Sequence, residues 1–138
     1  MRVFVDTNVL FLACRSQSPS ARLLLARKDL VFLSSMYLRL EVLPKPRFFG
    51  NVHECAYYDH YFLRSMPVEH GERLHALALE EAEKIGLSGM DALHLAAASV
   101  GGAEVFITDE RQTRPMYRTA LVSVRHLSEI DPMSDSLF

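Results

Sequence analysis

Four acidic positions in this chain stand where an α/β protein does its chemistry. Asp6 directly follows the apolar run Val3-Phe4-Val5 and leads into Thr7-Asn8. Asp109, with Glu110 beside it, follows Val105-Phe106-Ile107-Thr108 in the same manner. Glu41 and Asp91 lie inside otherwise apolar helical patterns, Arg39-Leu40-Glu41-Val42-Leu43 and Met90-Asp91-Ala92-Leu93. Short continuous apolar runs read as buried parallel strands, and open α/β sheets place their ligands at the carboxyl ends of such strands. Carboxylates gathered there repel, and burying them unpaired is costly enough that they protonate or bind a cation. Oxygen donors without cysteine or clustered histidine suit hard ions, so Mg²⁺ or Mn²⁺ is the expected cofactor. Such ions contact phosphate oxygens, and the chemistry they point to is hydrolysis of a phosphodiester by metal-activated water.

Each acid also has a local explanation. Asp6 can cap a helix beginning near Thr7, and Asp109 one beginning near Arg111. Ser88-Gly89-Met90-Asp91 has the form of a capping box, and Glu41 can face water. Joint placement favours chemistry. In a doubly wound sheet the ends of the first and fourth strands are neighbours, and the helices after them start on the same edge, so one rim can collect all four acids.

The elements that must build this rim can be read along the chain. After a first strand at Val3–Val5, helices are expected over Val9–Cys14 and Ser20–Lys28, then a strand over Leu30–Leu33. Ser34 or Ser35 caps the next helix, which carries Glu41 late and is expected to end near Pro44-Lys45-Pro46, because prolines remove donors and restrict their predecessors. A longer helix is expected over Asn51–Ser65, a brief strand over Met66–Val68, and a helix over Glu72–Ile85 closed by Gly86. A helix from Ser88 to Val100 precedes the strand ending at Thr108, and a final strand is expected over Leu121–Val124. This βα alternation predicts an α/β fold, a three-layer α/β/α sandwich around a central parallel sheet. A single domain is expected over residues 1–130, with a short tail over 131–138.

Bulk properties agree with one ordinary cytoplasmic domain. The chain has 138 residues, 49% of them hydrophobic, which is enough to bury a core without disulfides or structural zinc. Cys14 and Cys55 lie far apart with no metal or redox spacing, which suggests reduced thiols. No stretch approaches the about 20 apolar residues that span a bilayer, so no membrane partner is expected. The formal charge is -2, yet setting four of the 17 acids aside leaves 13 against 15 Lys plus Arg, so the remaining surface permits a nucleic acid without indicating one.

The segments Val3-Phe4-Val5-Asp6-Thr7-Asn8, Arg39-Leu40-Glu41-Val42-Leu43, Gly86-Leu87-Ser88-Gly89-Met90-Asp91-Ala92-Leu93-His94-Leu95-Ala96 and Val105-Phe106-Ile107-Thr108-Asp109 together resemble the successive motifs of PIN-domain nucleases. Their order covers nearly the whole chain, and the Asp-Ala-Leu-His-Leu-Ala string is the most specific part. The resemblance implies a PIN-like fold and a Mg²⁺- or Mn²⁺-dependent ribonuclease, most often the toxin of a toxin-antitoxin pair. It therefore implies an RNA substrate, a cognate antitoxin protein as partner and a homodimer. Asp6, Glu41 and Asp91 match the family's first three acids. Asp109 is expected as the fourth, with Glu110 as the alternate, and Thr7, Asn8 and Thr108 are expected to hold metal waters.

Other polar residues read less sharply. His94, one turn after Asp91, invites a role as general base, but a histidine amid Leu and Ala reads better as a satisfied interior group. Arg15, Arg22, Lys45, Arg47 and Arg111 could line a path for a phosphate backbone or simply face solvent. Tyr57, Tyr58 and Tyr61 have the spacing of a core or dimer surface more than of a base-stacking platform. Two rival readings remain: a receiver-type signalling domain, weakened by the single Asp after the first strand and the lack of Lys beyond Lys84, and an inactive binding scaffold on the same fold.

Overall fold

The computed structural model describes all residues, Met1–Phe138. Five parallel strands form one sheet in the order β3-β2-β1-β4-β5. They are β1 (Arg2–Val5), β2 (Val31–Ser34), β3 (Met66–Pro67), β4 (Val105–Thr108) and β5 (Ser123–His126). Seven helices connect them: α1 (Thr7–Cys14), α2 (Pro19–Leu25), α3 (Met36–Val42), α4 (Pro44–Phe48), α5 (Val52–Arg64), α6 (Glu72–Ile85) and α7 (Gly89–Val100). Successive residues of a strand point to opposite faces, so the complete burial of Val3, Phe4 and Val5, and of Phe106 and Ile107, requires cover on both sides. Phe4 and Phe106 stack on neighbouring strands with ring centroids 5.4 Å apart. The expected three-layer α/β/α sandwich is the observed architecture.

β1 lies between β2 and β4, pairing Val3 with Phe32 on one side and Val5 with Ile107 on the other. The chain runs outward to β3, returns across β1 and continues outward to β5, and this reversal of strand order sets Asp6 and Asp109 on one edge. Tyr58 and Tyr61 are buried, and the Tyr61 hydroxyl donates to the Leu33 carbonyl at 3.1 Å, so the tyrosine spacing on α5 serves mainly the core. Cys14 is buried and Cys55 half-buried, both as free thiols.

Several boundaries differ from the sequence reading. The second helix stops at Leu25 rather than Lys28, and Arg27 turns to pair with Asp29. Ser35 caps α3, but the prolines do more than end it: Pro44 starts a separate short helix, since a proline at the first helical position has no N–H to waste. The last strand is shifted by two residues. Pairing with β4 sets its register, Val105 with Ser123 through Thr108 with His126, and this edge strand is half exposed and therefore not apolar throughout.

Two glycines do specific work. Gly86 closes α6 at φ +75°, a left-handed conformation that a side chain resists. At Gly101 a Cβ would meet Val68 Cγ2 at 2.6 Å, so the absence of a side chain lets the end of α7 approach the sheet. Residues 131–138 fold back on the domain, with Leu137 fully buried and Arg27 Nη1 donating to the Pro132 and Ser134 carbonyls at 3.0 and 2.7 Å. No helix is long and apolar enough to cross a membrane.

Candidate active site at the carboxyl edge of the sheet

Asp6 is the buried centre of the rim. Its extended backbone ends β1, its amide donates to the Ile107 carbonyl at 2.8 Å, and its carboxylate caps α1 by accepting from Thr7 N at 2.9 Å. The capping explanation is therefore correct for Asp6, but it uses only Oδ1. Oδ2 accepts from Thr108 Oγ1 at 2.8 Å across the β1–β4 pair. With 4% of its surface exposed, Asp6 is pushed above its ordinary carboxyl value by burial, which outweighs the opposing influence of His94 and then the bonds from Thr108 and Thr7; the nearby charge of Asp91 adds to the upward push.

Thr7 joins Asp6 to Glu41. Its hydroxyl lies 3.2 Å from Asp6 Oδ1 and 3.0 Å from Glu41 Oε1, and its single proton serves one of them at a time. Glu41 rises from the last turn of α3 with its side chain 34% exposed, and its Oε1 stands 2.5 Å from His94 Nε2 on α7. The His94 contact, more than any other influence, holds the Glu41 carboxyl below its ordinary value.

Asp91 lies in the first turn of α7, whose cap is Ser88; Ser88 Oγ accepts from Asp91 N at 3.2 Å. Only that half of the expected capping box forms, and the Asp91 carboxylate makes no hydrogen bond or ion pair within the chain. Asn8 clamps the loop after β4: its Oδ1 accepts from Asp109 N at 3.0 Å, and its Nδ2 donates to Thr108 Oγ1 at 3.4 Å. Thr108 Oγ1 also accepts from Glu110 N at 3.0 Å. The Asp109 carboxylate stands 3.5 Å from His126 Nε2, and the Glu110 carboxylate stands 3.5 Å from Arg114 Nε.

The structure thus links Asp6, Thr7, Asn8, Glu41 and Thr108 by direct hydrogen bonds, brings Asp91 into electrostatic reach of Asp6, and sets Asp109 and Glu110 on the adjoining loop. No three His, Cys, Asp or Glu side chains converge closely enough to enclose an ion by themselves. A hard cation fits this arrangement through one or two carboxylates and several waters, as Mg²⁺ commonly binds, rather than through a closed protein cage. The free Asp91 carboxylate and the buried, strained charge of Asp6 are the donors best suited to it.

Sequence reasoning missed two neighbours. His126 faces Asp109 because β5 extends two residues further than its apolar run suggests. Tyr117 donates its hydroxyl to the Glu110 carbonyl at 2.8 Å, and its own pKa is pushed up to about 12, by burial first and then by the charges of Glu129, Glu110, Asp109 and Asp6. Neither lies in a motif, and no local signal marks them. Among the basic residues, Arg15 pairs with Glu54, Arg47 with Asp59, and Arg22 Nε donates to the Ala13 carbonyl at 2.7 Å. Lys45 and Arg111 are exposed and unpaired.

No family model matches this sequence, and no curated protein matches it. Solved structures do. A chain of VapBC2 from Rickettsia felis, bound to a DNA fragment from its promoter, superposes with a TM-score of 0.68 at 16% identity, over 91% of this chain and 98% of that one. A chain of DNA-bound VapBC from Salmonella typhimurium gives 0.71 at 12% identity, over 92% and 98%. A chain of FitAcB from Neisseria gonorrhoeae gives 0.58 at 18% identity, over 93% and 99%. Likeness along the full length of each chain, at so little shared sequence, identifies the architecture: this protein has the PIN-like α/β/α fold of the VapBC and FitAcB chains.

Proposed function

We propose that the protein is a divalent-metal-dependent endoribonuclease, in which Asp6, Glu41, Asp91 and Asp109 hold, directly or through waters, the one or two cations that act on the scissile phosphodiester. The observation that carries this reading is the Asp6 carboxylate, buried at the strand-order reversal within electrostatic reach of the unpartnered Asp91 carboxylate. A protein gains nothing in stability from such a pair, whereas a cation would relieve both charges. Bound Mg²⁺ or Mn²⁺ would supply activation of water and neutralisation of charge on the phosphate. The chain's own contribution is orientation. Thr108 and Thr7 hold the two oxygens of Asp6, and Thr7 also bridges to Glu41. Asn8 fixes the loop that presents Asp109, with Glu110 as the alternate fourth acid; Thr7 and Asn8 would bind waters of the ion, whereas the buried Thr108 hydroxyl, expected to do the same, is fully used by Asp6, Glu110 and Asn8. Exposed Arg111 next to that loop, and Lys45 beyond α3, are available to the RNA backbone.

The fold is shared with chains whose structures are VapBC and FitAcB complexes, and together with the motif resemblance this supports a toxin role with a cognate antitoxin as partner. A homodimer in the cytoplasm completes the reading. An inactive scaffold is the second reading, and the lack of a tightly closed ligand cluster is the observation in its favour. The test is cleavage of a total cellular RNA pool in Mg²⁺ or Mn²⁺, with EDTA and Asp91→Asn as controls. Metal-dependent cleavage lost in Asp91→Asn supports the enzyme; equal cleavage by the variant, or none by the wild type, removes that support.

A further inference from the structure

His94 belongs to none of the four acidic positions, yet its side chain has an arrangement that packing alone does not explain. It sits on α7 one turn beyond Asp91, 1% exposed, with its ring centroid 6.0 Å from that of Phe4 and its Nε2 2.5 Å from Glu41 Oε1. The other ring nitrogen, Nδ1, is buried without any hydrogen-bond partner.

These facts favour a proton on Nε2. A proton on Nδ1 alone would bury an N–H with no acceptor and would press the Nε2 lone pair against the lone pairs of a carboxylate oxygen at 2.5 Å. With the proton on Nε2 the short contact becomes a charge-assisted hydrogen bond, and only a weak acceptor remains unpaired at Nδ1. Glu41 needs such a partner. Its flexible side chain leaves an exposed helix face, and apart from His94 only the shared Thr7 hydroxyl reaches it. His94, in contrast, is immobilised in the core beside β1.

We propose that His94 is the positioning residue of Glu41: its Nε2–H, held by the core, aims the Glu41 carboxylate at the rim where the ion would bind. This assignment rests on the nuclease reading for its purpose, while the contact itself is a feature of the fold. His94 reaches the rim through its hydrogen bond to Glu41. Outer donors of this kind commonly change metal affinity about 10–100-fold when removed.

The experiment compares wild type, His94→Gln, His94→Leu and Glu41→Gln. Side-chain ¹H–¹⁵N spectra of the metal-free protein should show a proton on His94 Nε2 whose resonance moves in Glu41→Gln. An unprotonated Nε2, or a resonance indifferent to Glu41, overturns the proposal. Mn²⁺ binding, followed by the electron paramagnetic resonance of the free ion, should weaken about 10–100-fold in His94→Leu, which fills the space but cannot donate. It should stay within a few-fold in His94→Gln, whose amide can. Wild-type Mn²⁺ affinity in a folded His94→Leu overturns the proposal, and if that variant does not fold, the spectra decide. A wild type that binds no Mn²⁺ sinks the nuclease reading, whereas loss of the Nε2 proton with Mn²⁺ binding intact sinks only the His94 assignment.

Discussion

The Thr108 hydroxyl donates to Asp6 Oδ2 at 2.8 Å, so the last residue of β4 satisfies the acid that follows β1. Both residues are buried, and the bond is one of the few that lower the cost of an ionised Asp6. Thr108→Val keeps the shape and the strand propensity but deletes this donor, along with the acceptor for the Glu110 amide. A hydrogen bond to a charged group is worth about 1.5–3 kcal/mol, so the variant should lose that much unfolding free energy in urea at neutral pH. A loss below about 0.5 kcal/mol would mean that water replaces the hydroxyl without cost.

Asp6 itself should report its burial through pH. Its folded-state value is raised above the ordinary 3.8, so the folded protein holds that proton more tightly than the unfolded chain does. The corresponding stability is fully present below the ordinary value and is lost as pH rises through the raised one. At neutral pH the wild type therefore carries a penalty that an amide of the same shape lacks. Asp6→Asn lacks that penalty but loses the Thr108 bond to Oδ2, so its stability relative to wild type should be higher at pH 7 than at pH 4, while cleavage disappears. Melting curves across that range check the sign: a variant less stable at pH 7 than at pH 4, relative to wild type, contradicts it.

Asn8 offers a test of loop order. Through one amide it accepts from Asp109 N and donates to Thr108 Oγ1, tying the start of α1 to the loop after β4. Asn8→Ala should release the Asp109 amide to faster hydrogen exchange while leaving the amides of β1 and β4 protected, and cleavage should fall about tenfold. Unchanged exchange at Asp109 would show that the loop is held by Tyr117 and its own backbone instead.

The parts of this molecule that could be read in the sequence are those in which one segment carries its own signal. The helix Glu72–Ile85 was legible to the residue, because its apolar period and the left-handed Gly86 are both local. Asp6 and Asp109 were legible as neighbours because strand order follows from βα alternation. The register of β5 was not, since an edge strand is defined by pairing with β4 and not by its own hydrophobicity. Helix α4 was not, because Pro44 reads equally as a stop and as a start. The His94–Glu41 contact joins residues 53 apart in sequence, and His94 in isolation looks like any core histidine. Site chemistry was thus visible in the acids themselves, while the groups that hold them depended on packing between elements.

Metal should stabilise this fold in a way that separates the acids from one another. Any ion that binds the native state alone adds about 2.7 kcal/mol to unfolding when present at a hundred times its dissociation constant. Mn²⁺ should accordingly raise the wild-type melting temperature in a concentration-dependent manner. In Asp91→Asn the rise should be largely lost although the metal-free protein melts normally, because the Asp91 carboxylate has no partner within the chain and its removal breaks no bond. Ser88 still caps α7 through the Asp91 backbone amide, which the substitution leaves in place. A full Mn²⁺ shift in Asp91→Asn would place the ion elsewhere on the rim, toward Asp109 and Glu110, and the same titration on Asp109→Asn and Glu110→Gln would then show which of the two takes it.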